Sequence, residues 1–326
     1  MQQLSRFLLA FILILSGGDL LAQPSTQLPA QASTQPPAQP AAQPPSAYTQ
    51  EIESWHRSRI NNLKAANGWL NLAGLFWLNE GKNSFGSDPG NTIVFPQGAA
   101  SAGYFERTGN TVKIVIQNDL DIRVNGAIVK PDIRANGAAV KEAVIYGGDS
   151  SRPPVVSYGS LRWTIIRRDD KIGVRLRNLE SPQATAFKDI ERFPVDSAWK
   201  VQATLRKEQQ AQTIAIANVL GQISQQQTPG KLLFTIGDKQ YTLDALEEGD
   251  ELFVIFADAT NGKTTYPSGR FLSVKKPGAD GLTTIDFNKA YDPPCAFTPY
   301  ATCPLPPKQN VLDLAITAGE KDYGRH

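Results

Sequence analysis

Histidine is almost missing from this chain: His56 and His326 are the only two in 326 residues. A Ser–His–Asp or Cys–His apparatus needs an imidazole base. His56 falls in a helical stretch and His326 is the last residue, so neither sits in a nucleophile phrase, and no G-x-S-x-G occurs. Two histidines so placed do not supply zinc-ligand spacing. Phosphate-loop and dinucleotide fingerprints are also missing. No metal and no cofactor is expected. Net charge is small as well, with 33 Lys+Arg against 31 Asp+Glu. That balance argues against a nucleic-acid partner, which asks for a clear basic excess.

Long apolar runs are lacking too, apart from residues 7–15 (FLLAFILIL). That run is too short for a confident membrane anchor, which takes ~20 apolar residues. Arg6 precedes it, Gly17-Gly18 breaks it, and Ala22 stands before Gln23, the order of a signal peptide over residues 1–22. No cysteine adjoins the cleavage point, so no lipid attachment is expected there. Residues 23–46 are nearly all Gln, Pro, Ala, Ser and Thr and read as a solvated linker. The expectation is a periplasmic or secreted protein with no transmembrane helix after signal cleavage.

The rest reads as mainly β: a sandwich- or barrel-like body preceded by one amphipathic helix. In residues 48–66, Ile52, Trp55, Ile60 and Leu63 share one face, and Asn67-Gly68 ends the helix. Thr111–Gln117, Ile122–Val124 and Val174–Arg177 alternate as strands do. Turn signals recur at Asp88-Pro89-Gly90, Gly109-Asn110, Asn125-Gly126, Asn136-Gly137 and Asn261-Gly262. Prolines and polar residues at 180–199 suggest a division into a first β unit, 47–185, and a second, 186–326, which carries a Pro-rich loop.

Three phrases, at residues 68–89 (GWLNLAGLFWLNEGKNSFGSDP), 258–272 (DATNGKTTYPSGRFL) and 286–310 (DFNKAYDPPCAFTPYATCPLPPKQN), resemble an uncharacterised bacterial and archaeal family, domain of unknown function 1684. The resemblance spans nearly all of the body and implies no established activity or catalytic residue. It includes one departure: where the family's phrase reads Asn-Pro-Pro-Cys, this chain has Asp292. Residues 81–96 and 122–129 resemble the outline of forkhead-associated-type sandwiches. The Arg and Ser-plus-His signatures of phosphothreonine readers are missing, so that likeness bears on fold alone.

The two cysteines, Cys295 and Cys303, have seven residues between them. In an exported chain an even count predicts a disulfide, worth ~2–3 kcal/mol for so short a loop. A redox-active thiol pair is the other reading, without the C-x-x-C spacing or helix N-terminus that would favour it. Around this loop lie the candidate ligand-binding residues. Asp258, Tyr266 and Arg270 fall at an expected hairpin, and Asp286, Asn288 and Tyr291 lead into the bridge. The structural alternative is that Asp286 and Asn288 cap turns while Arg270 pairs with a carboxylate. A third group is basic: Arg152, Arg162, Arg167, Arg168, Lys171, Arg175 and Arg177 surround a hairpin at Asp169-Asp170. It suits an anionic envelope glycan or lipid headgroup, or is a solvated sheet face with a protected edge.

Two functional classes follow. One is a non-catalytic protein of the cell envelope that binds a small molecule or glycan. The alternative is a hydrolase of sugar or ester substrates that relies on carboxylates and lacks a histidine triad.

Overall fold

The structure, a computed structural model, describes residues 46–117, 119–133, 139–147, 152–207 and 212–324. The expected signal peptide, nearly all of the expected linker, the Asn136-Gly137 turn and His326 lie outside those residues. The body is mostly strand, with one long helix at its start, as the alternating sequence patterns imply.

That helix runs Ala47–Lys64. Ser46 caps it, its Oγ accepting from Thr49 N at 3.1 Å, and the chain turns away where Gly68 N donates to Ala65 O at 2.6 Å. Ile52 and Leu63 are buried, whereas Ile60 and Trp55 remain partly exposed.

Two six-stranded sheets form a sandwich. The first has the order Leu72–Trp77, Lys171–Asn178, Leu161–Arg168, Val156–Tyr158, Arg123–Val124, Ala127–Ile128. The second runs Ile93–Val94, Gly81–Gly86, Gly103–Thr108, Thr111–Ile116, Ala139–Gly147, Pro131–Ile133. Alternation turns Trp163, Ile165, Val174 and Leu176 of the first sheet toward Phe85, Phe105 and Ile114 of the second. The stacked rings of Phe85 and Phe105, 4.5 Å apart, anchor this core. Asn125 (φ 48°) and Gly126 (φ 83°) make the turn between the first sheet's two shortest strands. Both left-handed conformations match the Asn-Gly preference of a type I′ turn.

A third six-stranded sheet follows, in the order Arg270–Lys275, Glu251–Phe256, Lys239–Glu248, Gly230–Ile236, Lys200–Arg206, Leu282–Asp286. Its first and last strands lie beside one another, so the sheet is a nearly closed barrel. Leu232, Leu243, Val254, Phe256 and Phe287 fill it. Between two barrel strands a separate hairpin, Gln212–Ala217 with Ile223–Thr228, packs on the body through Ile216, which is buried with Ile255 and Phe271. After the barrel the chain runs on through short 3-10 turns, adding single bridges such as Ala257 to Val311 and Asn218 to Pro304. No described helix is long and apolar enough to cross a membrane.

Candidate functional site

Asp286 ends the last barrel strand and caps the following turn, its Oδ1 accepting from Asn288 N at 3.1 Å. The same oxygen accepts from Tyr48 Oη at 2.8 Å, which latches the start of the N-terminal helix to the barrel rim. Asn288 Nδ2 donates to Tyr48 Oη (2.9 Å) and Asp196 O (2.8 Å), and its Oδ1 accepts from Asp196 N (3.0 Å). Burial and the Asp286 carboxylate push the Tyr48 phenol upward, so it remains a donor. Lys289 then reaches Glu51 at 2.6 Å, one helical turn further on.

This latch sets Trp55, two turns along the helix from Tyr48, above Tyr291, with ring centroids 6.5 Å apart. Tyr291 meets Phe271 edge-on at 5.9 Å, and Phe271 meets Phe253 at 4.9 Å. Backbone bonds between Tyr291 and Phe271, at 2.8 and 3.0 Å, fix that step against the barrel wall. Arg59, one turn beyond Trp55, lies with its guanidinium carbon 4.6 Å from the Tyr291 ring centre. Burial raises the Tyr291 phenol to about 12, so it stays neutral.

Two cavities open on either side of this step, and Trp55 and Tyr291 line both. One, of ≈ 660 Å³, continues over Lys200, Lys275, Asp286 and Thr284. The other, of ≈ 440 Å³, continues over Arg59, Trp69, Phe253 and Phe271. The charges in the larger cavity are largely matched. Glu51 takes Lys289 at 2.6 Å and Lys200 at 3.9 Å, and Lys276 lies 3.6 Å from Glu247. The hydrogen bond from Lys289 holds the Glu51 carboxyl below its ordinary range.

The six sequence candidates divide in two. Asp286, Asn288 and Tyr291 are brought together at the latch, and Asp286 and Tyr291 line the larger cavity. Asp258 and Arg270 form a fully buried ion pair at 2.8 Å, both side chains 0% exposed. Arg270 also donates to the carbonyls of Ala318 (2.5 Å) and Ile316 (3.1 Å), while Asp258 Oδ1 accepts from Thr260 N (2.9 Å) and Ile316 N (3.2 Å). The pair fastens the C-terminal segment to the barrel, and neither residue lines the two cavities. Tyr266 sits in a small apolar cluster with Phe187, Ile190 and Phe297. The ion pair has the geometry of the structural alternative, in which Arg270 pairs with a carboxylate.

Cys295 and Cys303 are joined as a disulfide, their Cα atoms 6.1 Å apart. The bridge packs with Phe271, Ala301 and Trp69 behind the smaller cavity. Beneath the groove lies a second buried acidic site. Asp292 N donates to Glu320 Oε2 at 2.7 Å, and Arg59 donates to Glu320 Oε1 at 3.2 Å and to the Asp292 carbonyl at 2.8 Å. Burial first, and the Glu320 charge second, raise the Asp292 carboxyl to about 8. Asp292 is 0% exposed and Glu320 1%. A pair so enclosed has no path to a substrate, whatever its proton affinity.

The residues the sequence did not single out are Trp69, Phe253 and Phe271. Nothing in one dimension links positions 69, 253 and 271 to Trp55 and Tyr291; strand pairing sets Phe253 beside Phe271, backbone bonds tie Phe271 to Tyr291, and the N-terminal segment carries Trp55 and Trp69 onto them.

Comparison with known proteins adds a partial family match and no activity. The model of a protein family of unknown function, DUF1684, matches residues 185–321. The match covers the barrel and the bridged loop but not the phrase at residues 68–89, so it is narrower than the resemblance read from the sequence. An uncharacterized protein of Haloarcula marismortui, with a solution NMR structure, is 29% identical over 44% of this chain and 82% of its own, at a TM-score of 0.37. No curated protein matches significantly.

Proposed function

We propose that this is an exported binding protein whose groove, floored by Trp55 and Tyr291, takes a segment of an uncharged cell-envelope glycan. One observation carries the reading: the same two aromatic side chains line both cavities, so an extended ligand crosses them as it passes from one to the other. Aromatic faces offer apolar area at small conformational loss, and a few polar groups beside them fix orientation. Four lysines and three acids line the larger cavity, a near balance of charge that favours a neutral polyhydroxyl ligand over an ionic one. Export rests on the order of Arg6, the apolar run and Ala22.

The carboxylate-hydrolase reading is less well supported. It needs a protonated acid and an ionised partner on opposite sides of a cleft. Glu51 is held ionised by Lys289, and the carboxyl that keeps its proton, Asp292, is enclosed under Arg59.

The test is titration calorimetry of the full chain with neutral oligosaccharides released from bacterial envelope glycans. Trp55→Ala is the matched variant, because Trp55 is partly exposed. The expected result is saturable binding that weakens roughly tenfold or more in the variant, with little change in melting temperature. Equal binding by both proteins, or none by either, would overturn the reading.

A further inference from the structure

A second concave region has the opposite electrostatic character. Alternation along Leu161–Arg168 and Lys171–Asn178 puts Arg162, Arg168, Arg175 and Arg177 on the sandwich face turned away from its core. Register pairs Arg162 with Arg177 and Thr164 with Arg175. Arg175 and Arg177 lie against Trp69, their guanidinium carbons 5.6 and 5.8 Å from its ring centre. Arg168 Nε donates to Thr302 Oγ1 at 3.1 Å.

None of these four arginines has a carboxylate partner among the described residues. Arg59, Arg107, Arg123, Arg192 and Arg270 all do. Arg175 Nε is buried and without any hydrogen-bond partner. Burial, then the like charges of Arg168 and Arg177, lower the Arg175 guanidinium to about 10. Half-buried cations that repel one another are unfavourable unless a counter-charge is supplied.

Arg168 opens on a cleft of ≈ 310 Å³ between this sheet and the separate hairpin. Arg167, Asn218, Gln222 and Thr302 line it, and Asp169 is its one acid. Asp169 is an exposed turn residue. Arg168 spends one N–H on Thr302 and another on the Arg167 carbonyl, at 2.8 Å. A guanidinium has five N–H donors, so three remain.

We propose that this cleft binds a phosphate- or sulfate-type oxyanion through Arg168 and Arg167, with the amides of Asn218 and Gln222 beside them and Arg175 and Arg177 supplying the field. Planar guanidinium forks match tetrahedral oxyanions bidentately. The group is carried by a soluble anion or by a lipid headgroup. The hairpin turn next to the cleft exposes Val219 (43%), Leu220 (42%) and Ile223 (65%), which a lipid surface would cover.

The experiment compares melting temperature in sodium phosphate, sodium sulfate and sodium chloride at matched ionic strength, for the full chain and Arg168→Gln. The expected result is a saturable rise with phosphate or sulfate over chloride, reduced roughly tenfold or more in apparent affinity by the substitution. Arg167→Gln, whose side chain is exposed, replaces it if Arg168→Gln fails to fold. A parallel arm measures co-sedimentation with phosphatidylglycerol and phosphatidylcholine vesicles. Arg168-dependent sedimentation with the anionic vesicles, relieved by phosphate, assigns the group to a headgroup, and a melting shift without sedimentation assigns it to a soluble anion. The proposal is overturned if neither anion exceeds chloride and no vesicle binding depends on Arg168 or Arg167.

Discussion

Asp292 is a carboxyl enclosed beside Glu320, and its surroundings explain how an acid is tolerated there. The side chain is fully enclosed next to Glu320, where a second negative charge would be strongly disfavoured. With its proton retained to about pH 8, Asp292 is a neutral group with nearly the shape of the asparagine amide. Asp292 Oδ2 accepts from Tyr323 N at 3.1 Å, as an amide oxygen would, and Oδ1 is buried without a partner.

The perturbation is therefore Asp292→Asn. In the unfolded chain the carboxyl loses its proton above its ordinary value of 3.8, whereas the folded protein keeps it to about 8. The folded state binds more protons between those limits, so the contribution to stability is full below the lower value and is lost as pH rises through the upper one. One proton gives a slope of about 1.4 kcal/mol per pH unit. From pH 4 to pH 7 the parent should lose up to about 4 kcal/mol relative to the variant, whose amide does not titrate. Titrating groups away from Asp292 and Glu320 are common to both proteins and cancel in the difference. Urea midpoints for both, taken between about pH 4 and about pH 9 at constant m, measure it. Stability curves that stay parallel within about 1 kcal/mol over that range would refute the argument.

Three further outcomes are expected. Arg270→Ala leaves the Asp258 carboxylate buried and unpaired and should remove about 3–5 kcal/mol of stability by chemical denaturation, and a loss below about 1 kcal/mol would contradict the clamp. Replacing Cys295 and Cys303 together by Ser should lower the melting temperature modestly, by less than the ~2–3 kcal/mol of a flexible loop, because Pro294, Pro299 and Pro304 already stiffen the segment. Two thiols alkylated without reductant in protein purified from an oxidising compartment would contradict the bridge. N-terminal sequencing of the extracytoplasmic protein should begin at or near Gln23, and an intact Met1 would count against cleavage.

The sequence carried the elements better than their partners. The helix ends at Lys64 against the expected 66, and the strand at Thr111 and the Asn125-Gly126 turn fall where alternation and turn chemistry put them. Trp55 shows the limit: its spacing from Ile52 assigns it to the apolar face, yet that face is wider than the core it covers, and Trp55 overhangs the groove. Arg270 shows another, because a charged residue's burial depends on what the distant segment at 316–320 brings to it. Asp286 and Asn288 were legible as turn residues through their spacing. Their contact with Tyr48 joins positions about 240 apart and has no local signal.

Net charge was the least informative quantity in the sequence, and the two clefts show why. A sum of +2 says nothing about which cations already have partners. In the groove beside Trp55, four lysines face Glu51, Glu251 and Asp286, so a ligand meets nearly compensated charge and gains chiefly from aromatic area and hydrogen bonds. At the sandwich face, Arg168, Arg175 and Arg177 pair with no acid among the described residues, and an entering oxyanion gains from relieving their repulsion as well as from its own hydrogen bonds. The two clefts therefore differ in salt dependence. Ligand binding at the groove should change little between low and physiological ionic strength, because its pairs are screened together with whatever they would attract. Oxyanion binding at Arg168 should weaken as salt rises, since its driving charge is uncompensated. A salt titration of both bindings on one protein sample separates them, and equal salt dependence would refute the distinction in charge compensation from which both readings start.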